Sequence, residues 1–97
     1  MAVESGLKPA KIEAKRVSIL ALFPQAKDVR VTGDFTKWST EGVRLSRGTD
    51  AAWRGVLQVA PGRHEYRLLV DGVWTDHPQA TERVANAFGT MNCVFRA

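Results

Sequence analysis

The sequence predicts an all-β fold, an antiparallel β-sandwich, and three observations carry that prediction. Short apolar segments recur along the chain, Gly, Pro and Asp punctuate them, and no stretch of ten residues keeps a helical apolar period. A chain of 97 residues suffices for one such domain and is short for two. With 44% hydrophobic and 25% charged residues, the composition is that of a globular protein with a core rather than of a disordered chain.

Residues 1–15 mix charge with Gly6 and Pro9 and keep no apolar period, so they are expected to form a flexible tail. The sandwich domain is expected over 16–97. Its first strand is the apolar run Val17 to Phe23, closed by Pro24. Val29-Arg-Val31 alternates and runs into Gly33-Asp34; Val43 to Leu45 is a short candidate that ends before Gly48. Trp53 to Val59 ends at Pro61-Gly62, and His64 to Val70 ends at Asp71-Gly72. Val73 to Thr75 and Met91 to Phe95 complete the set.

One hairpin can be worked out in register. Asp71-Gly72 between apolar residues is a type I′ turn signal, because both central positions need φ > 0. That turn sets Val70 opposite Val73, Leu69 opposite Trp74, Leu68 opposite Thr75 and Arg67 opposite Asp76. Side chains alternate faces, so Tyr66, Leu68, Val70, Val73 and Thr75 are expected to point to the core while Arg67, Leu69, Trp74 and Asp76 point outward. The same parity near the C-terminus puts Met91, Cys93 and Phe95 inward, and Thr90 and Asn92 outward.

Several function classes are excluded on composition and motif. His64 and His77 have no serine or cysteine nucleophile in an elbow context beside them, and no metal-ligand spacing or Gly-rich phosphate loop occurs. Catalysis, a metal and a cofactor are therefore not expected, and Cys93, on the inward face, reads as a small buried hydrophobe. The formal charge of +4 is split evenly: residues 1–16 hold four basic and two acidic side chains, and the rest hold ten and eight. Phosphate binders concentrate such charge on one face, so no nucleic-acid partner is expected. The single cysteine, the absence of an apolar leader and the absence of any span of membrane length point to a cytoplasmic setting without a membrane partner.

Exposed tryptophans fit a sugar. A glucose ring has a C–H-lined face that a flat indole covers at low entropic cost, and its hydroxyls need partners that donate and accept, as Asn and Thr do, with Arg as an added donor. Trp53 reads as core; Trp38, at the end of Gly33-Asp-Phe-Thr-Lys-Trp38, and Trp74 are the surface candidates.

These residues occur in a familiar set. Val31-Thr-Gly-Asp-Phe-Thr-Lys-Trp-Ser39, Trp53, Pro61-Gly-Arg-His-Glu-Tyr-Arg-Leu-Leu-Val-Asp-Gly-Val-Trp74 and Asn86-Ala-Phe-Gly-Thr-Met-Asn92 together resemble the glycogen-binding domain of AMP-activated protein kinase β subunits. They also resemble the N-terminal domains of isoamylases and branching enzymes, grouped as family-48 carbohydrate-binding modules. The resemblance implies an immunoglobulin-like (early-set) β-sandwich that binds α-1,4-linked glucans (glycogen, starch-like chains, maltooligosaccharides) without catalysis, and a protein partner in glycogen metabolism. By motif it implies that Trp38 and Trp74 stack on the rings, Arg67 and Asn92 hydrogen-bond hydroxyls, Phe88 packs on the sugar and Thr90 lines the site. The chain departs from the pattern at Thr36, where Asn is usual, at Arg67 for Lys, at Phe88 for Leu, and in placing His77 between Asp76 and Pro78. A structural or protein-docking module without sugar binding is the alternative.

Overall fold

A computed structural model describes residues 14–97, so the expected tail over 1–15 lies almost wholly outside the described residues. Among the described residues nine strands follow in order: β1 (Lys15–Leu22), β2 (Val29–Gly33), β3 (Val43–Arg44), β4 (Ser46–Arg47), β5 (Ala52–Val59), β6 (Arg63–Val70), β7 (Val73–Thr75), β8 (Arg83–Ala85) and β9 (Met91–Arg96). A single turn of 3-10 helix, Asp34–Thr36, follows β2. All pairings are antiparallel. One sheet runs β3-β2-β6-β9-β8 with β7 also on β6; the other runs β1-β5-β4. The fold is the all-β sandwich that the alternating segments predict.

The two sheets meet through their apolar faces. Ile19, Ala21, Trp53, Leu57 and Val59 come from the smaller sheet and Val29, Val31, Tyr66, Leu68 and Cys93 from the larger, in one buried cluster. Alternation explains the membership: Val31 is paired with Leu68, and Ala21 with Trp53, so each pair shares the inner face. Trp53 is core, its indole N–H donating to the Phe23 carbonyl at 3.1 Å. The sheets are also tied by a buried polar chain. The Tyr66 hydroxyl donates to His77 Nδ1 (2.6 Å), and His77 Nε2–H donates to the Leu20 carbonyl (2.7 Å).

The hairpin register is as predicted, with Val70, Leu69 and Leu68 opposite Val73, Trp74 and Thr75; Val73, expected on the core side by parity, is instead 63% exposed, because it sits beside the turn at the tip of the hairpin. Asp71 (φ 51) and Gly72 (φ 81) both take the left-handed conformation that the turn requires. Cys93 is buried and Phe95 packs on the core, but Met91 is exposed. It keeps inward parity at the start of β9, paired with Ala85 of the marginal β8, where its strand partner is no longer a core element. Two short strands, β4 and β8, fall in segments that carry no alternating apolar signal.

Candidate glucan-binding face

Arg67 occupies the centre of the outer face of the larger sheet, at a changeover in pairing. One edge of β6 pairs with β9 as far as Tyr66 and with β7 from Leu68 onward. The strand that carries Trp74 and the strand that carries Asn92 therefore lie end to end along one edge, on either side of Arg67. On the opposite edge Arg67 faces Thr32 of β2. The guanidinium donates to Asp76 at 2.7 Å, which holds it across the base of the β7 hairpin.

Thr32 organises the turn that carries Trp38. Fully buried, it donates to the Ser39 carbonyl at 2.7 Å, and its hydroxyl lies 2.9 Å from that of Thr36. Thr36 Oγ1 in turn accepts from the Gly33 N–H at 3.0 Å, so a threonine fulfils the turn role at the position where the family pattern has Asn. The Trp38 N–H donates to the Gly33 carbonyl at 2.9 Å. Phe35 points inward and packs on Phe95, ring centroids 5.6 Å apart, which throws Trp38 outward. Lys37 (φ 55) and Trp38 (φ 57) are both left-handed, a conformation that costs a non-glycine residue about 1–2 kcal/mol and persists where surrounding bonds over-determine it.

The third part is the β8–β9 loop. Asn86 N–H donates to the Thr90 carbonyl at 3.0 Å, Gly89 supplies a left-handed residue (φ 81), and Phe88 projects into solvent, 89% exposed. Asn92 is only 8% exposed; its amide donates to Glu65 at 3.0 Å and accepts from Asn86 at 3.0 Å. The Asn92 hydrogen bond and then the Arg63 guanidinium hold the Glu65 carboxyl below the usual carboxylate range, so it is ionised at neutral pH.

All six residues singled out in the sequence, Trp38, Arg67, Trp74, Phe88, Thr90 and Asn92, line one open groove of about 560 Å³, together with Glu65 and Asn86. They come from four separate chain segments. The two tryptophans are 37% and 41% exposed, partly seated and partly open. Glu65 and Asn86 are absent from the sequence-level set. Strand parity with Arg67 signals Glu65, and the Asn-x-x-Gly-Thr spacing of a side-chain-closed turn signals Asn86. Among the described residues no cluster of His, Cys, Asp and Glu forms a metal site, and no helix is long and apolar enough to cross a membrane.

Comparison with known proteins shows the family. The family described as the glycogen recognition site of AMP-activated protein kinase matches residues 22–96. Similar proteins include the 5'-AMP-activated protein kinase subunit beta-2 of Mus musculus, 28% identical over 90 residues, covering 93% of this chain and 31% of that protein. The subunit beta-1 of Sus scrofa is 33% identical over 70 residues, covering 72% and 54%. The beta subunit of Schizosaccharomyces pombe is 35% identical over 66 residues, covering 65% and 21%. The chain thus spans about a third of the length of the beta-2 relatives it matches. With a match over most of its length, the chain belongs to the glycogen-recognition family of AMP-activated protein kinase.

Proposed function

We propose that the groove binds α-1,4-linked glucans, with Trp38 and Trp74 stacking on glucose rings, Phe88 packing on the ligand, and Arg67, Thr90 and Asn92 bonding its hydroxyls. The observation that carries this reading is the convergence of two half-exposed indoles and these polar side chains, from four chain segments, on one groove. A flat apolar platform rimmed by directional donors and acceptors suits a sugar's C–H face and hydroxyl edge. The reading is of a binding module without catalysis, acting in the cytoplasm and targeting a protein partner to glycogen, in keeping with the kinase subunits it resembles. An open, half-exposed platform fits an affinity on the order of 10 µM to 1 mM.

The test is native-gel mobility with and without glycogen in the gel. The wild type is expected to be retarded, and Trp74→Ala, still folded, to lose at least about 10-fold in affinity as a central aromatic contact does. A folded wild type that runs unretarded at millimolar glucose equivalents would overturn the reading. The structural or docking role would then remain, with the exposed Leu20, Leu22 and Val56 on the outer face of the smaller sheet as its available surface.

A further inference from the structure

Asn86 uses every hydrogen-bonding position it has. Its Oδ1 accepts from the backbone N–H groups of Phe88 (2.9 Å) and Thr90 (3.1 Å), and its Nδ2 donates to Thr90 Oγ1 (2.7 Å) and Asn92 Oδ1 (3.0 Å). Two backbone donors can face only an oxygen, so the Asn86 amide has one allowed orientation. That orientation propagates. The Asn92 oxygen must meet the Asn86 nitrogen, and the Asn92 nitrogen must meet the Glu65 carboxylate, which only accepts. Glu65 is braced from behind by Arg63, 2.8 Å from its other oxygen.

The consequence reaches the ligand. Thr90 Oγ1 accepts from Asn86 and donates to no group among the described residues, so its proton is available to a ligand; Asn92 spends one N–H on Glu65 and keeps the other. We propose that Asn86 and Glu65 are positioning residues that set the hydrogen-bond polarity of the glucan site, so that Thr90 and Asn92 meet the sugar as donors. This rests on the proposed glucan-binding function. It assigns roles to two residues to which the resemblance gives none, and it makes the wall complementary to the acceptor oxygens of a neutral saccharide. An anionic ligand would instead meet the Glu65 carboxylate in the same groove.

The experiment is calorimetric titration of the full 97-residue chain with maltoheptaose at pH 7, paired with thermal melts. Asn86→Asp keeps the bonds to Phe88 and Thr90 N–H but turns the other atom into an acceptor. That atom then opposes the Asn92 oxygen and claims the Thr90 proton. Affinity is expected to fall about 10-fold, as for a lost and reversed hydrogen bond, in a chain that the melts show still folded at the temperature of the titration. In a Thr90→Val background the same substitution is expected to cost clearly less, because no hydroxyl remains to be reversed. Glu65→Leu is expected to weaken binding about 5-fold, and Glu65→Gln, whose oxygen still accepts from Asn92, to stay within about 2-fold of wild type.

Asn86→Asp binding like the wild type, losses that add independently of Thr90, or Glu65→Gln as weak as Glu65→Leu would each overturn the inference alone. A wild type that takes no maltoheptaose would overturn the glucan-binding function and this inference with it. Should Asn86→Asp not fold, the Glu65 pair decides.

Discussion

Of the three tryptophans one lies inward and two outward, and each placement is set by neighbours rather than by the residue. Trp53 alternates with Gly55 and Leu57 toward the core and anchors its indole N–H on a carbonyl. Trp74 stands outward because the Asp71-Gly72 turn fixes its parity. Trp38 is outward because Phe35, three residues earlier, is held inside. The histidines divide in a similar way. His64 has an acceptor at each ring nitrogen, Asp34 at 2.7 Å and the Ala60 carbonyl at 2.8 Å. Burial pulls its pKa down, but the Ala60 and Asp34 bonds outweigh that and raise it above the ordinary 6.5. Burial lowers that of His77, against the pull of the Leu20 carbonyl, and the Arg83 charge adds to the lowering. The signs are opposite. The His64 contribution is complete below pH 6.5 and is lost as pH rises through its raised pKa; that of His77 is complete above 6.5 and is lost as pH falls. Wild-type melting temperature is therefore expected to peak near pH 6.5 across the range 5–8.5. His64→Gln should flatten the alkaline limb and His77→Gln the acid limb. An alkaline limb intact in His64→Gln would contradict the assignment.

Strands announced by alternation were legible, and so was the hairpin register down to the residue. The limits of legibility have physical causes at this scale. Strands β4 and β8, two and three residues long, are short edge pairings made by neighbours, with no apolar period of their own to signal them. Met91 has the right parity and lacks an opposing layer, which parity cannot reveal. Leu69 points outward yet is buried, because its cross-strand row runs Arg30, Leu69, Trp74. The Trp38 turn shows how an element carries the site. A Cβ at Gly33 would run into the Glu65 carbonyl and come within 2.8 Å of the Phe35 ring, although the backbone there is ordinary extended chain. Gly33→Ala is expected to destabilise by about 1–3 kcal/mol, as overpacking does, and to weaken glycogen retention by displacing Trp38. Chemical denaturation beside the gel assay checks both; a stable variant with wild-type retention would show that the close approach does not position the turn.

At the scale of the whole molecule, the six site residues fall in four chain segments, and the larger sheet with its loops brings them together. Alternation supplied the outward parity of Trp74, Arg67 and Asn92, whereas Glu65 and Asn86 escaped because their part lies in hydrogen bonds to other site residues. Part of the basic charge is paired among the described residues. Asp28 pairs with Arg30 and Arg44, Asp50 with Arg54, Glu65 with Arg63, Asp76 with Arg67 and Glu82 with Arg96. These pairs set six arginines against carboxylates, and the uncharged glucan of the proposed function is expected to bind without the salt dependence of a nucleic acid. The three indoles also supply an internal control for the most direct test of the central claim. In a nitrogen-15 NMR titration with maltoheptaose, the indole N–H signals of Trp38 and Trp74 are expected to shift in a saturable way. The Trp53 signal, buried and bonded to Phe23, should stay in place, and the midpoint should not move between low and high salt. Shifts confined to Trp53 or to the smaller sheet, or no shift of Trp38 and Trp74 at millimolar ligand, would contradict the account.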